Sequence, residues 1–119
     1  MSWILVVDDD SICRDSMRKI LERGGYNVEV ATDVDSALDA LKGNNFDLMV
    51  CDFRMPGKSG LDLLSELQVR NSRMPVVMVS AFADSETEKK SVKLGARLLR
   101  KPFRRQELLD ETSRCIHHI

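Results

Sequence analysis

Five short apolar runs recur along the chain, Trp3–Val7, Val28–Ala31, Phe46–Cys51, Val76–Val79 and Leu98–Leu99, with a stretch of helical spacing after each. The helical stripes read Ile12, Met17, Ile20 and Leu21; Ala37, Leu38 and Leu41; Leu61, Leu64, Leu67 and Gln68; Val92 and Leu94; and Leu108, Leu109 and Thr112. Apolar residues spaced three and four apart line one helix face, whereas short continuous apolar runs suit strands buried on both sides. Strict alternation of strand and helix predicts a parallel sheet with helices on both faces. Few other architectures accommodate that order.

The punctuation agrees. Gly24-Gly25, Gly43 and Gly95 fall where helices should stop. Thr32 with Asp35, Ser59 with Asp62 and Ser85 with Glu88 have the spacing of capping boxes at helix starts. No repeat, linker or low-complexity segment interrupts the pattern, and 119 residues can enclose one sizeable core. The expectation is therefore a single domain over 1–119. A net charge of −1 gives no general case for a nucleic-acid or membrane partner. The N-terminal apolar run is too short for a membrane span, and the expected location is cytoplasmic. Cys13, Cys51 and Cys115 show no CxxC spacing, which argues against a zinc site or a disulfide framework. Cys51 and Cys115 read as buried thiols, and Cys115 with His117 and His118 as a frayed terminus rather than a metal cluster.

In doubly wound sheets ligands bind beyond the carboxyl ends of the strands. Here the first strand runs into Asp8-Asp9-Asp10, the third ends in Asp52, the fourth in Ser80 and the fifth in Lys101-Pro102. Two carboxylates about 4 Å apart repel by roughly 4 kcal/mol at an effective dielectric near 20, so such a cluster needs positive charge. Oxygen donors without a full set of counter-charges suit a hard cation. Mg²⁺ accepts one or two carboxylates, keeps waters and accompanies phosphate, and a lysine and a serine hydroxyl are reasonable phosphate contacts. A carboxylate facing a metal-held phosphoryl group can act as its nucleophile. Each residue alone also has a plain reading as a cap, a strand end or a solvated charge; their arrival on one sheet edge favours the chemical one.

VVDDD, VCDFRMPGKSG, VVMVSA and GARLLRKPF, in that order and spacing, resemble the receiver domain of two-component response regulators, over nearly the whole chain. The resemblance implies a flavodoxin-like (βα)5 fold with strand order 2-1-3-4-5. It implies Asp52 as phosphoacceptor, supplied by a sensor histidine kinase or phosphotransfer protein. Mg²⁺ would be held by Asp9, Asp52 and the Arg54 backbone carbonyl, with Asp8 assisting through water. Lys101 would pair with the phosphoryl oxygens, Ser80 would be the switch hydroxyl, and the Lys101-Pro102 bond would be cis. Asp10 reads instead as the cap of the first helix. The Met55-Pro56-Gly57 turn would let backbone face the site, with Gly60 opening the next helix.

One departure stands out. The family usually carries Tyr or Phe three residues before the lysine, and this chain has Leu98, with Gly95 to Lys101 one residue shorter than usual. Phe82 is the nearest aromatic substitute by sequence. Between Asp84 and Arg105 eight basic residues face three acidic ones, a local +5, so the face of the fourth helix, fifth strand and fifth helix is expected to meet an acidic output partner. No direct nucleic-acid binding is expected, because the patch has no aromatic platform. Two other readings remain open: a Mg-dependent phosphohydrolase, although Arg54 stands where its second acid belongs, and an interaction module that is never phosphorylated. The sequence is equally compatible with a stand-alone receiver and with a fragment of a longer regulator.

Overall fold

The computed structural model describes residues 2–55, 57–70, 72–81 and 85–116. Strands β1 (Trp3–Val7), β2 (Asn27–Ala31), β3 (Leu48–Asp52), β4 (Val76–Ser80) and β5 (Arg97–Arg100) alternate with helices. The helices are α1 (Ser11–Arg23), α2 (Val34–Gly43), α3 (Gly60–Val69), α4 (Ser85–Lys93) and α5 (Arg105–Ile116). All strand pairs are parallel, in the order β2-β1-β3-β4-β5, which is the flavodoxin-like arrangement.

Strand alternation divides the apolar side chains between two cores. Leu5, Val7, Met49, Cys51 and Met78 face the side covered by α2 and α3, where they meet Ala37, Leu63, Leu64 and Leu67. Ile4, Val6, Leu48, Val50, Val77 and Val79 face the other side, closed by Met17 and Leu21 of α1 and by Leu108 and Cys115 of α5. Every residue of β3 and β4 is buried, as continuous apolar strands predict.

Local signals explain the helix ends. Asp10 caps α1, its carboxylate accepting the Ile12 N–H at 2.9 Å. Ser59 and Asp62 form the expected box on α3. At α2 the box is one residue later than the Thr32–Asp35 reading. Asp33 is the cap, accepting the Ser36 N–H at 2.7 Å, and Ser36 Oγ accepts the Asp33 N–H, while Asp35 lies outside and pairs with Lys58. Gly95 turns the chain after α4 with φ +94°, a conformation that side chains rarely adopt.

Three stripe residues are misplaced in the sequence reading, Ile12, Gln68 and Val92, all of them exposed. Ile12 is 79% exposed, because it sits in the first turn of α1 and packs into neither core. Val92 is also exposed, and Ser91 is the fully buried residue of α4, its hydroxyl donating to the Glu88 carbonyl at 2.7 Å. Pro56, Phe82, Asp84, His117 and His118 lie outside the described residues.

Candidate metal and phosphoryl site

The site grows from the carboxyl ends of β1, β3, β4 and β5. Register places Val7 beside Cys51, Asp52 beside Val79 and Ser80 beside Arg100, so Asp8, Asp52, Ser80 and Lys101 emerge on one edge. Asp8 is fully buried. Its Oδ1 accepts the Asp10 N–H at 2.9 Å, and its own N–H donates to the Ala31 carbonyl at 3.1 Å, which extends the β1–β2 ladder by one bond. Asp52 is 7% exposed, and its Oδ1 accepts the Arg54 N–H at 3.2 Å. The backbone is thus shaped to hold both carboxylates still.

Lys101 reaches between them. Its Nζ lies 3.4 Å from Asp8 Oδ2 and 3.3 Å from Asp52 Oδ2. Burial opposes the charge on Lys101, but the charges of Asp52 and Asp8 and the hydrogen bond to Asp52 outweigh it, holding the ammonium above the ordinary lysine range. Burial pushes the Asp8 carboxyl up, and the charge of Asp52 adds to that; the Asp10 N–H and Lys101 pull the other way without cancelling it. The Lys101-Pro102 peptide bond is cis, as expected from the family.

Asp9 is exposed beside the pair, and Asp8, Asp9 and Asp52 bring one carboxylate oxygen each within 4.8 Å of one another. Three acids therefore face one ammonium in an all-oxygen donor set, two of them buried. That chemistry fits a hard divalent cation of the Mg²⁺ type. Gly60 backs the site: a Cβ there would lie 2.2 Å from the Asp52 carbonyl oxygen.

Ser80 is buried at the end of β4, its carbonyl accepting the Lys101 N–H at 2.8 Å. Its hydroxyl donates to Glu88 Oε2 at 3.2 Å, and Glu88 Oε1 accepts the Arg100 guanidinium at 2.9 Å. Sequence reasoning missed these partners, because it took Glu88 for the second half of a capping box with Ser85. Glu88 instead turns inward to Ser80 and Arg100. The signal that could have found it is an acid in the first turn of the helix that follows a strand-end serine. Leu98 is half-buried and packs on the α2–α3 side core, which leaves no ring beside Ser80 from β5. Phe82, the suggested aromatic substitute, is one of the residues left undescribed.

The basic face is less uniform than its composition. Arg100 pairs with Glu88, and Arg97 pairs with Glu111, which also accepts from Arg114 at 2.9 Å. Lys89, Lys90, Lys93, Arg104 and Arg105 remain at the surface.

A doubly wound parallel sheet thus gathers three aspartates, a serine and a lysine at its strand ends, which sets it apart from a generic nucleotide fold. The comparisons are specific. Residues 4–113 match the family model of the response regulator receiver domain, and the chain belongs to that family. It is 38% identical over 101 residues to the transcriptional regulatory protein FixJ of Bradyrhizobium diazoefficiens, covering 84% of this chain and 49% of that protein. It is 40% identical over 108 residues to the response regulator MprA of Mycobacterium sp. (strain KMS), covering 89% and 46%. The chain thus spans about half the length of these curated relatives. Among solved structures, the NtrX receiver domain from Brucella abortus superposes with TM-score 0.90 at 34% identity, covering 98% of this chain and 99% of that one. The receiver domain of the Francisella response regulator 1452 does so with TM-score 0.91 at 31% identity, covering 98% of each chain. The protein is a receiver domain of the two-component type. Receivers of this family bind Mg²⁺ through acidic residues, and such a cluster is present here. No helix among the described residues is long and apolar enough to cross a membrane.

Proposed function

We propose that Asp52 is the phosphoacceptor of a two-component phosphorelay. The observation that supports this most directly is the Lys101 ammonium held between the Asp52 and Asp8 carboxylates, with Asp9 beside them. Asp52 Oδ attacks phosphorus, an O–P bond forms, and the N–P bond of a phosphohistidine donor breaks, returning the electron pair to its imidazole. Asp9, Asp52 and the Arg54 carbonyl, with Asp8 acting through water, would hold Mg²⁺, which would neutralise part of the phosphoryl charge. Lys101 then shifts from carboxylate to phosphoryl oxygens, and the Ser80 hydroxyl donates to one of them. The domain acts as a signalling switch that catalyses only its own phosphorylation and slow dephosphorylation.

An acyl phosphate replaces one negative charge by about two, so the signal is geometric as much as electrostatic. Three new acceptor oxygens stand beyond the old carboxylate and bias the α4, β5 and α5 face, which an output protein of acidic character reads. The donor is a sensor histidine kinase or phosphotransfer protein, and residues 1–119 form one receiver domain working in the cytoplasm.

Incubation with Mg²⁺ and a small phosphodonor, followed by intact mass, tests the reading. One phosphoryl adduct is expected on the parent and none on Asp52→Asn. Undiminished labelling of that variant would refute the assignment. An unlabelled parent would favour a module that works without phosphorylation.

A further inference from the structure

The switch hydroxyl is already engaged. Ser80 and Arg100 are register partners at the ends of β4 and β5, and the Glu88 carboxylate on α4 joins them, one oxygen to each. The Glu88 side chain is 12% exposed, whereas that of Arg100 is 74% exposed. One carboxylate therefore connects a buried hydroxyl at the site with a guanidinium on the outer face. The Glu88 backbone is anchored as well, its carbonyl accepting from the fully buried Ser91 hydroxyl.

A serine hydroxyl carries a single proton. It can be given to Glu88 or to an oxygen on a phosphorylated Asp52, not to both. Competition for that proton ties the occupancy of Asp52 to the position of Glu88. Arg100, at the rim of a groove lined also by Lys89, Val92, Lys93 and Leu98, then changes with it. Leu98 offers neither a ring nor a polar atom for the purpose.

We infer that Glu88 is a positioning residue for the Ser80 hydroxyl and that the Ser80–Glu88–Arg100 chain carries the state of Asp52 to the α4–β5 surface. The inference rests on the phosphoacceptor reading of Asp52. In the unphosphorylated protein the Ser80 proton holds Glu88 inward. Once a phosphoryl oxygen takes that proton, the inner carboxylate oxygen loses its donor, and Glu88 follows Arg100 toward solvent. A buried carboxylate that loses a donor is costly, which gives the movement its direction.

The test uses the full 119-residue chain, ¹⁵N-labelled, with and without Mg²⁺ and a small phosphodonor, the adduct being counted by mass in the same samples. The readouts are the amide shifts of residues 85–93 and 97–100. Glu88→Ala should still take the phosphoryl group at Asp52, and, compared at equal adduct, the phosphorylation-dependent shift changes in both segments should fall by at least about twofold, since the coupled element is gone. Arg100→Ala keeps the Ser80–Glu88 bond and should retain the α4 response. Glu88→Gln keeps the volume and an acceptor oxygen for Ser80; it controls for folding and should also retain the α4 response. If Arg100→Ala loses the response as completely as Glu88→Ala, the carboxylate is only half of an ion pair and the inference fails. It fails equally if Glu88→Ala responds like the parent. A parent that takes no phosphoryl group would refute the phosphoacceptor reading itself, a result distinct from a labelled parent with an unaltered Glu88→Ala.

Discussion

Asp8→Asn should make the metal-free protein more stable. Asp8 is fully buried, and besides the hydrogen bond from the Asp10 N–H its ionised form meets three further large effects. At an effective dielectric near 20, attraction to Lys101 Nζ at 3.4 Å is about 5 kcal/mol, and repulsion from an Asp52 oxygen within 4.8 Å is about 3.5 kcal/mol or more. Removing the charge from water costs several kcal/mol besides. Repulsion and burial together exceed the attraction, in agreement with burial pushing the Asp8 carboxyl up. Lys101, moreover, is shared with Asp52, so a neutral amide in place of the Asp8 carboxylate would leave the ammonium paired with Asp52. The amide oxygen can still accept the Asp10 N–H. The expected gain is on the order of 1–3 kcal/mol, or about 1 M in urea midpoint for a chain of this size. Because the folded pKa is raised, the burden exists only at pH above the ordinary aspartate range. It disappears as acid protonates the folded carboxyl, and the two proteins should converge there. In Mg²⁺ the ranking should narrow or reverse, since ligand at a hundredfold excess over Kd stabilises the parent by about 2.7 kcal/mol and the variant less. Urea melts in EDTA and in Mg²⁺ measure all of this. An Asp8→Asn midpoint below the parent's in EDTA would refute the reasoning.

Three further outcomes are expected. Asp9→Ala should weaken Mg²⁺ binding by at least about tenfold with little change in fold stability, while Asp10→Ala should do the reverse, because Asp10 caps α1 and Asp9 does not. Parallel titrations and melts that gave the crossed result would put the acidic run one residue out of register. Gly60→Ala should cost about 1–3 kcal/mol and slow phosphorylation, since the added Cβ meets the Asp52 carbonyl at 2.2 Å and Met78 Cε at 2.7 Å; a labelling time course with unchanged rate would contradict it. Glu111 is held below the ordinary glutamate range first by the hydrogen bond from Arg97. Its contribution is full above that range and lost as pH falls through the depressed value, so Glu111→Gln should cost about 1 kcal/mol at neutral pH and flatten the acid limb of the stability profile.

Most of the site was legible because its parts lie at strand ends, where chain position and spatial position coincide. Asp8, Asp52, Ser80 and Lys101 each follow an apolar run closely, and parallel register brings those ends together. The Asp10 cap follows from an equally local signal, whereas the strand order rested on the resemblance to the receiver family. Glu88 was not legible, since its role depends on how α4 is rotated against β4 and β5. Glu88 lies three residues before the buried Ser91 and shares its helix face, and the capping-box reading with Ser85 hid that inward position. The Asp33 cap was missed because Thr32, Asp33 and Asp35 offer overlapping boxes, and only Ser36 reciprocates one of them.

Among the described residues, Asp8, Asp52, Ser80, Ser91 and Thr112 are the buried polar groups, and their partners separate them. Thr112 donates to the Leu108 carbonyl and Ser91 to that of Glu88, each within its own helix. Such bonds form with the helix, and substitution there is a matter of packing. Asp8, Asp52 and Ser80 also take partners from other elements, beyond the local Asp10 and Arg54 N–H groups on the acids: Lys101 for the acids and Glu88 for the hydroxyl. A bond of that kind forms only when β1, β3, β4, β5 and α4 are in place, and a new acceptor at Asp52 can redirect it. The side chains suited to switching are thus the buried polar ones whose partners lie across the fold, and Glu88 joins them on the same physical ground.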